Sequence, residues 1–183
     1  MGDPHDLERL RSQWGHRGSS RPPWAIEPGP GQQSVWDYPR PPRLEPDDRF
    51  VRILHGSIVI AESRRTMRLL ETASPPTFYI PPSDLRMESL VRGRGASHCE
   101  WKGKAAYWSL RTDEGEIPAV GWSYERPYDE FMAIRGYLSF YPAKVECYIG
   151  GARVQPQPGG FYGGWVTAEI VGPFKGEPGT AGW

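Results

Sequence analysis

Cysteine is scarce in this chain. Only Cys99 and Cys147 occur among 183 residues, which argues against the disulfide framework of a small secreted domain. The two thiols are expected to stay reduced in the cytosol, with a Cys99–Cys147 disulfide as the alternative. Long apolar runs are missing too. No stretch is long enough to span a bilayer, and the first residues hold no apolar core of signal-peptide length. The expected location is therefore cytoplasmic, without a membrane partner. Net charge is also absent, since 22 basic and 22 acidic side chains cancel. That excludes a binder relying on a basic surplus to neutralise nucleic-acid phosphates, and it removes a polybasic membrane-surface role.

Glycine, proline and rings are abundant instead, with 22 Gly, 20 Pro and eight Trp. Glycine and proline break helices and favour turns and short strands. The aromatics must supply much of the apolar burial. The fold class expected is all-β with short helices only, as one domain with a proper core.

Residues 1–45 read as an extended arm. Asp3-Pro4 followed by Leu7 and Leu10 suits a short helix with proline in its first turn. Beyond it, Gly15, Gly18, Pro22, Pro23, Pro28 and Pro30 cannot sustain regular structure. Trp14, Trp24 and Trp36 point to an arm anchored by rings, because disordered tails are poor in aromatics. The polyproline-like run 36–42 either packs on its own domain or offers itself to a partner's aromatic groove.

The domain is expected over 46–183. Period-two alternation over 49–54 and 57–61 with Gly56 between them predicts a hairpin. A loop through Arg64 and Arg65 leads to a strand at 68–72, ended by Pro75-Pro76, with another strand at 77–80. Residues 104–111 and 117–124 read as strands around the turn Asp113-Glu114-Gly115, and 129–135 as the best helical candidate. Residues 137–141 and 144–149 read as another strand pair, with Cys147 on the apolar face as a small buried hydrophobe. The segment 155–183 is expected to be an ordered wrap. Its Gly159-Gly160-Phe161-Tyr162-Gly163-Gly164 lacks the ending of a phosphate loop and reads as a structural turn, and Lys175 reads as a solvated lysine.

The densest chemistry lies between Ser97 and Trp108, where a thiol, an imidazole, a carboxylate, two lysines and three large rings follow in one strand and its turn. The run Cys99-Glu100-Trp101-Lys102-Gly103-Lys104-Ala105-Ala106-Tyr107-Trp108 resembles the signature of the domain-of-unknown-function family four-two-seven, a bacterial and fungal family sometimes labelled nucleotidyltransferase-like. Leu70-Glu71-Thr72, Tyr79-Ile80-Pro81 and Gly121-Trp122-Ser123-Tyr124 support the resemblance, as do the glycine-rich run at 158–165 and Gly172-Pro173-Phe174-Lys175-Gly176. It implies a compact β-tent-like domain and carries no reaction with it. β-tent domains often hold zinc between two Cys-x-x-Cys pairs, and this chain has no such pair, so no metal or other cofactor is expected. The nucleotidyltransferase label lacks residues to support it: Asp47-Asp48 is the only adjacent aspartate pair, with no Asp-x-Asp to hold magnesium.

Several residue types there admit two roles. Cys99 is either a buried thiol or a nucleophile whose thiolate Lys102 or Lys104 would favour. His98 points to the opposite face of a strand and is a poor partner for it. Glu71 is either a general acid or base in an apolar pocket, or a structural ion pair with Arg64, Arg65 or Lys102. Trp101, Trp108, Trp122, Tyr124 and Tyr79 form either core packing or a ring-lined cage, with Arg65 and Lys102 as polar contacts. Tyr107 and Trp108 must face opposite ways, whereas Trp122 and Tyr124 share a face. The function expected is small-molecule binding in a pocket with a carboxylate. The alternatives are an enzyme for a small polar or carbonyl substrate, using Glu71 with Cys99 as possible nucleophile, and a protein-interaction module.

Overall fold

The computed structural model describes residues 4–183. Helix α1 (Pro4–Ser12) opens the arm, with proline where no intrahelical donor is needed; Asp3 lies outside the described residues. Strand β1 (Gln33–Ser34), a 3-10 turn over Val35–Asp37 and strand β2 (Arg43–Asp47) follow. β2 thus crosses the boundary expected at residue 45, and Asp47 ends a strand instead of lying in a linker. Trp36 is fully buried and Tyr38 and Arg40 nearly so, so the proline-rich stretch packs on its own domain.

The alternating run beyond it makes β3 (Val51–His55) and β4 (Ile58–Ser63), an antiparallel hairpin. Gly56 takes φ +56° in the turn, a conformation that costs glycine little. β5 (Thr66–Glu71) and β6 (Ser74–Tyr79) join β2 in the order β2-β5-β6. Pro75-Pro76 does not end a strand, as expected from sequence, but lies inside β6. That strand is an edge of its sheet, and the register slips between Leu69 and Glu71, which face Thr77 and Ser74. No ladder donor is required where the prolines sit.

β7 (Leu90–Cys99), β8 (Gly103–Thr112) and β9 (Gly115–Tyr124) form an antiparallel meander that β10 (Leu138–Phe140) extends. β11 (Glu146–Ile149) and β12 (Ala152–Arg153) add to the hairpin in the order β12-β11-β3-β4. The expected pairing of 137–141 with 144–149 is therefore corrected. Leu138 pairs with Ser123 and Cys147 with Ile53, so the loop between them carries the chain from one sheet to the other. The best helical candidate is helical: residues Asp129–Ile134 form a 3-10 helix kinked at Phe131. In the wrap, β13 (Gln155–Pro156) pairs with β14 (Trp165–Val166), and β15 (Ile170–Val171) runs parallel to β1.

Alternation along these strands sorts the side chains into two main cores. The larger gathers Val51, Ile53, Ile60, Phe78, Leu110, Val120, Phe140, Cys147 and Trp165. Each large apolar residue buried there contributes roughly 1.5–3 kcal/mol. The second is built mostly of rings: Tyr79, Trp101, Trp122, Tyr124 and Phe131 around Leu69, Ala105 and Ile134. Arm and wrap are clamped together, with the Trp36 and Trp183 rings 5.1 Å apart and Trp36 Nε1 donating to the Pro173 carbonyl at 3.2 Å. The cavity described next lies beside the second core.

Candidate functional site

The cavity measures about 240 Å³. Strand alternation decides which side chains reach it. Ala105 and Tyr107 face it from β8, and Trp122 and Tyr124 from β9. Leu69 and Glu71 come from the end of β5, and Ser74, Pro75, Thr77 and Tyr79 from β6. Cys99 is the last residue of β7, and Lys102 lies in the tight turn to β8, where Gly103 takes φ +95° and pairs with Cys99. Trp14 closes one side from the arm, and Gln157, Phe161, Tyr162, Gly163, Gly164 and Lys175 close another from the wrap. Gly163 lies directly on the Trp122 ring, where a Cβ has no room.

Charged groups meet here in unusual density. Glu71 lies between two cations: Arg40 Nη2 is 3.6 Å from its Oε1, and Lys102 Nζ is 3.8 Å from its Oε2. Both distances exceed a direct hydrogen bond. The carboxylate is held as an ion pair by both cations, and Lys102 is only 7% exposed. Burial opposes the Lys102 charge. The acidic groups around it, Cys99 first and then Tyr124, Glu71 and Tyr79, outweigh burial and hold its pKa well above the usual lysine value. Arg40 is fixed by the carbonyls of His16, Thr72 and Trp183, and burial lowers its pKa. Burial likewise raises the pKa of Tyr79 and of Tyr124, so both phenols stay neutral donors.

Lys175 reverses its sequence reading. It is 4% exposed, lines the cavity, donates to the Trp183 carbonyl at 3.0 Å and lies 3.6 Å from the centre of the Trp14 ring. Burial pushes its pKa down to about 8. Its local sequence, Pro-Phe-Lys-Gly, carries no signal of this. Gly163 and Gly164 of the wrap belong to the wall as well, beyond the structural turn expected of them.

Not every residue expected at the site reaches it. Arg65 is exposed and pairs with Asp84 and Ser83, so it contacts neither Glu71 nor the cavity. The ion partners of Glu71 are Arg40 and Lys102, of which sequence named only Lys102. Trp101 is 2% exposed in the ring core under the Arg11 guanidinium and does not line the cavity. Trp108 faces away, with Nε1 donating to Ser123 Oγ at 2.9 Å and Arg92 over its ring; Tyr107 takes the cavity side. Glu71, Cys99, Lys102, Tyr79, Trp122 and Tyr124 all line one cavity. Cys99 and Cys147 are both free thiols. Among the described residues, no three His, Cys, Asp or Glu side chains cluster as a metal site would require, and no helix is long and apolar enough to cross a membrane.

No curated protein matches the chain. Residues 43–151, more than half of its length, match the profile of the family described as "Domain of unknown function (DUF427)". That span holds Glu71, Cys99, Lys102 and five of the cavity rings, whereas Trp14, Lys175 and the wrap residues lie outside it. The chain belongs to the DUF427 family.

Proposed function

We propose that this protein binds a small molecule in the ring-lined cavity. The observation that carries this reading is the cavity itself: about 240 Å³ walled by aromatic side chains, with the Lys102 ammonium and the Glu71 carboxylate meeting on its wall at 3.8 Å. Apolar walls with a few convergent polar groups are the usual make-up of ligand sites. At about 30 Å³ per water the space holds roughly eight waters, which sets the ligand at the size of a small metabolite. The two free thiols suit a reducing compartment, and a cytoplasmic location belongs to the same proposal.

A thermal-shift screen of small metabolites tests the reading, with Ala105→Met as the control that fills the cavity from β8. A compound that raises Tm in the natural chain and not in Ala105→Met is the expected result. A screen without hits, or hits indifferent to that substitution, would overturn it. An enzymatic role for the same cavity is favoured by one further observation: Cys99 shares the wall with Glu71 and Lys102.

A further inference from the structure

Three reactive groups line this cavity: the Cys99 thiol, the Lys102 ammonium and the Glu71 carboxylate, the last two forming an ion pair. Lys102 has 7% of its surface exposed, and its one carboxylate neighbour is 3.8 Å away. A cation buried to that degree is costly unless something supplies it with oxygen. Glu71 is the complement, a half-buried acceptor facing the same space. Cys99 is joined to Lys102 by the turn that its own pairing with Gly103 closes. His98, the neighbouring imidazole, is occupied elsewhere, with Nε2 3.0 Å from the Tyr128 hydroxyl. Glu100, the other carboxylate on the wall, accepts from Trp14 Nε1 at 2.7 Å, which leaves Glu71 as the base for the thiol.

We propose that the cavity hydrolyses small carboxamides carrying a flat apolar acyl group, with Cys99 as nucleophile, Glu71 as base and then acid, and Lys102 as the cation that receives the oxyanion. This rests on the cavity being a small-molecule site. The Cys99 sulfur adds to the amide carbonyl carbon while its proton passes to a Glu71 oxygen. The carbonyl electron pair moves onto oxygen, opposite the Lys102 ammonium. Collapse re-forms the carbonyl and breaks the C–N bond, and the proton held by Glu71 leaves with the nitrogen as ammonia. Water then adds to the thioester as Glu71 takes its proton. A second collapse expels the sulfur, which regains that proton, and a carboxylic acid departs. The sum is amide plus water giving acid plus ammonia. Positioned nucleophile, base and oxyanion donor are the parts such acyl transfer needs, and the surrounding rings supply the surface that holds a flat acyl group.

The test uses the full chain with three probes: benzamide and phenylacetamide for ammonia release, and 4-nitrophenyl acetate for acylation read by peptide mass. Ammonia release that is lost in Cys99→Ala is expected, as is an acetyl adduct on Cys99. Glu71→Gln should lose ammonia release and slow the acetylation of Cys99, because acylation and deacylation both pass their proton to Glu71. Lys102→Met should slow acylation about 100-fold, the cost of one lost oxyanion donor. Should Lys102→Met not fold, the Cys99 and Glu71 variants decide. Benzamide binding by Cys99→Ala, read by thermal shift, reports the cavity separately from the chemistry. Binding with neither ammonia nor a Cys99 adduct would overturn the hydrolysis and leave the binding reading intact. An adduct on Lys175 in place of Cys99 would overturn the choice of nucleophile. Neither binding nor turnover would overturn both.

Discussion

The Lys175 ammonium lies 3.6 Å from the centre of the Trp14 ring, while Trp14 Nε1 donates to Glu100 Oε1 at 2.7 Å. One indole thus ties the arm to the wrap and to the β7–β8 turn. Trp14→Ala removes a cation–π contact and a hydrogen bond to a carboxylate, worth together about 2 kcal/mol. Urea denaturation should show a loss of that order. Water admitted beside the amine should also raise the pH midpoint of Lys175 acetylation.

Lys175 predicts a pH dependence. Its folded-state pKa, about 8, lies below its unfolded value of 10.5, so between those limits the unfolded chain binds the extra proton. Stability contributed by this group therefore rises with pH across that window, by on the order of 3 kcal/mol. The raised pKa values of Tyr79, Tyr124 and Cys147 act in the opposite direction at the alkaline end. The measurement is the difference in unfolding free energy between the natural chain and Lys175→Met at each pH, which cancels those groups. A flat difference from pH 8 to 10 would contradict the assignment.

The two thiols should separate by reactivity. Cys147 is 1% exposed in the main core and burial pushes its pKa up, whereas Cys99 opens on the cavity. Under native conditions iodoacetamide should label the Cys99 peptide at least tenfold faster than the Cys147 peptide, as mass spectrometry will report. Buried thiols are inert because the thiolate is the reactive form.

Gly163→Val should disturb the wall from the wrap side. A Cβ at this position collides with the Trp122 ring and stands 3.2 Å from Tyr141 Cδ1. Overpacking of this kind costs about 2 kcal/mol. A lowered Tm together with altered tryptophan fluorescence is the expected readout.

Features set by local alternation were legible before any coordinates. The β3–β4 hairpin follows from Val51, Ile53, Ile58 and Ile60 around Gly56, and the shared face of Trp122 and Tyr124 follows from two-residue spacing on β9. Features set by distant partners were not. Nothing near Leu138 or Cys147 states that their partners are Ser123 and Ile53. β7 was unmarked because Arg92, Gly93, Arg94 and Gly95 give it no apolar face; its hydrogen bonds to β8 hold it. Lys175 looked solvated because its burial depends on Trp14 and Trp183, one of them at the far end of the chain. The arrival of Arg40 beside Glu71 was hidden in the same way, since its proline-rich context says nothing of the carbonyls that hold it.

The family stretch ends at residue 151, yet the enclosure continues through residues 157–175 and returns to Trp14. The polar pair and the thiol form a common hearth, and the flanking segments form its roof. Under the proposed binding role, the hearth would supply the chemistry and the roof would choose the guest. Replacing the two flanks while keeping residues 43–151 should then change which guests this protein admits and leave the three groups below in place.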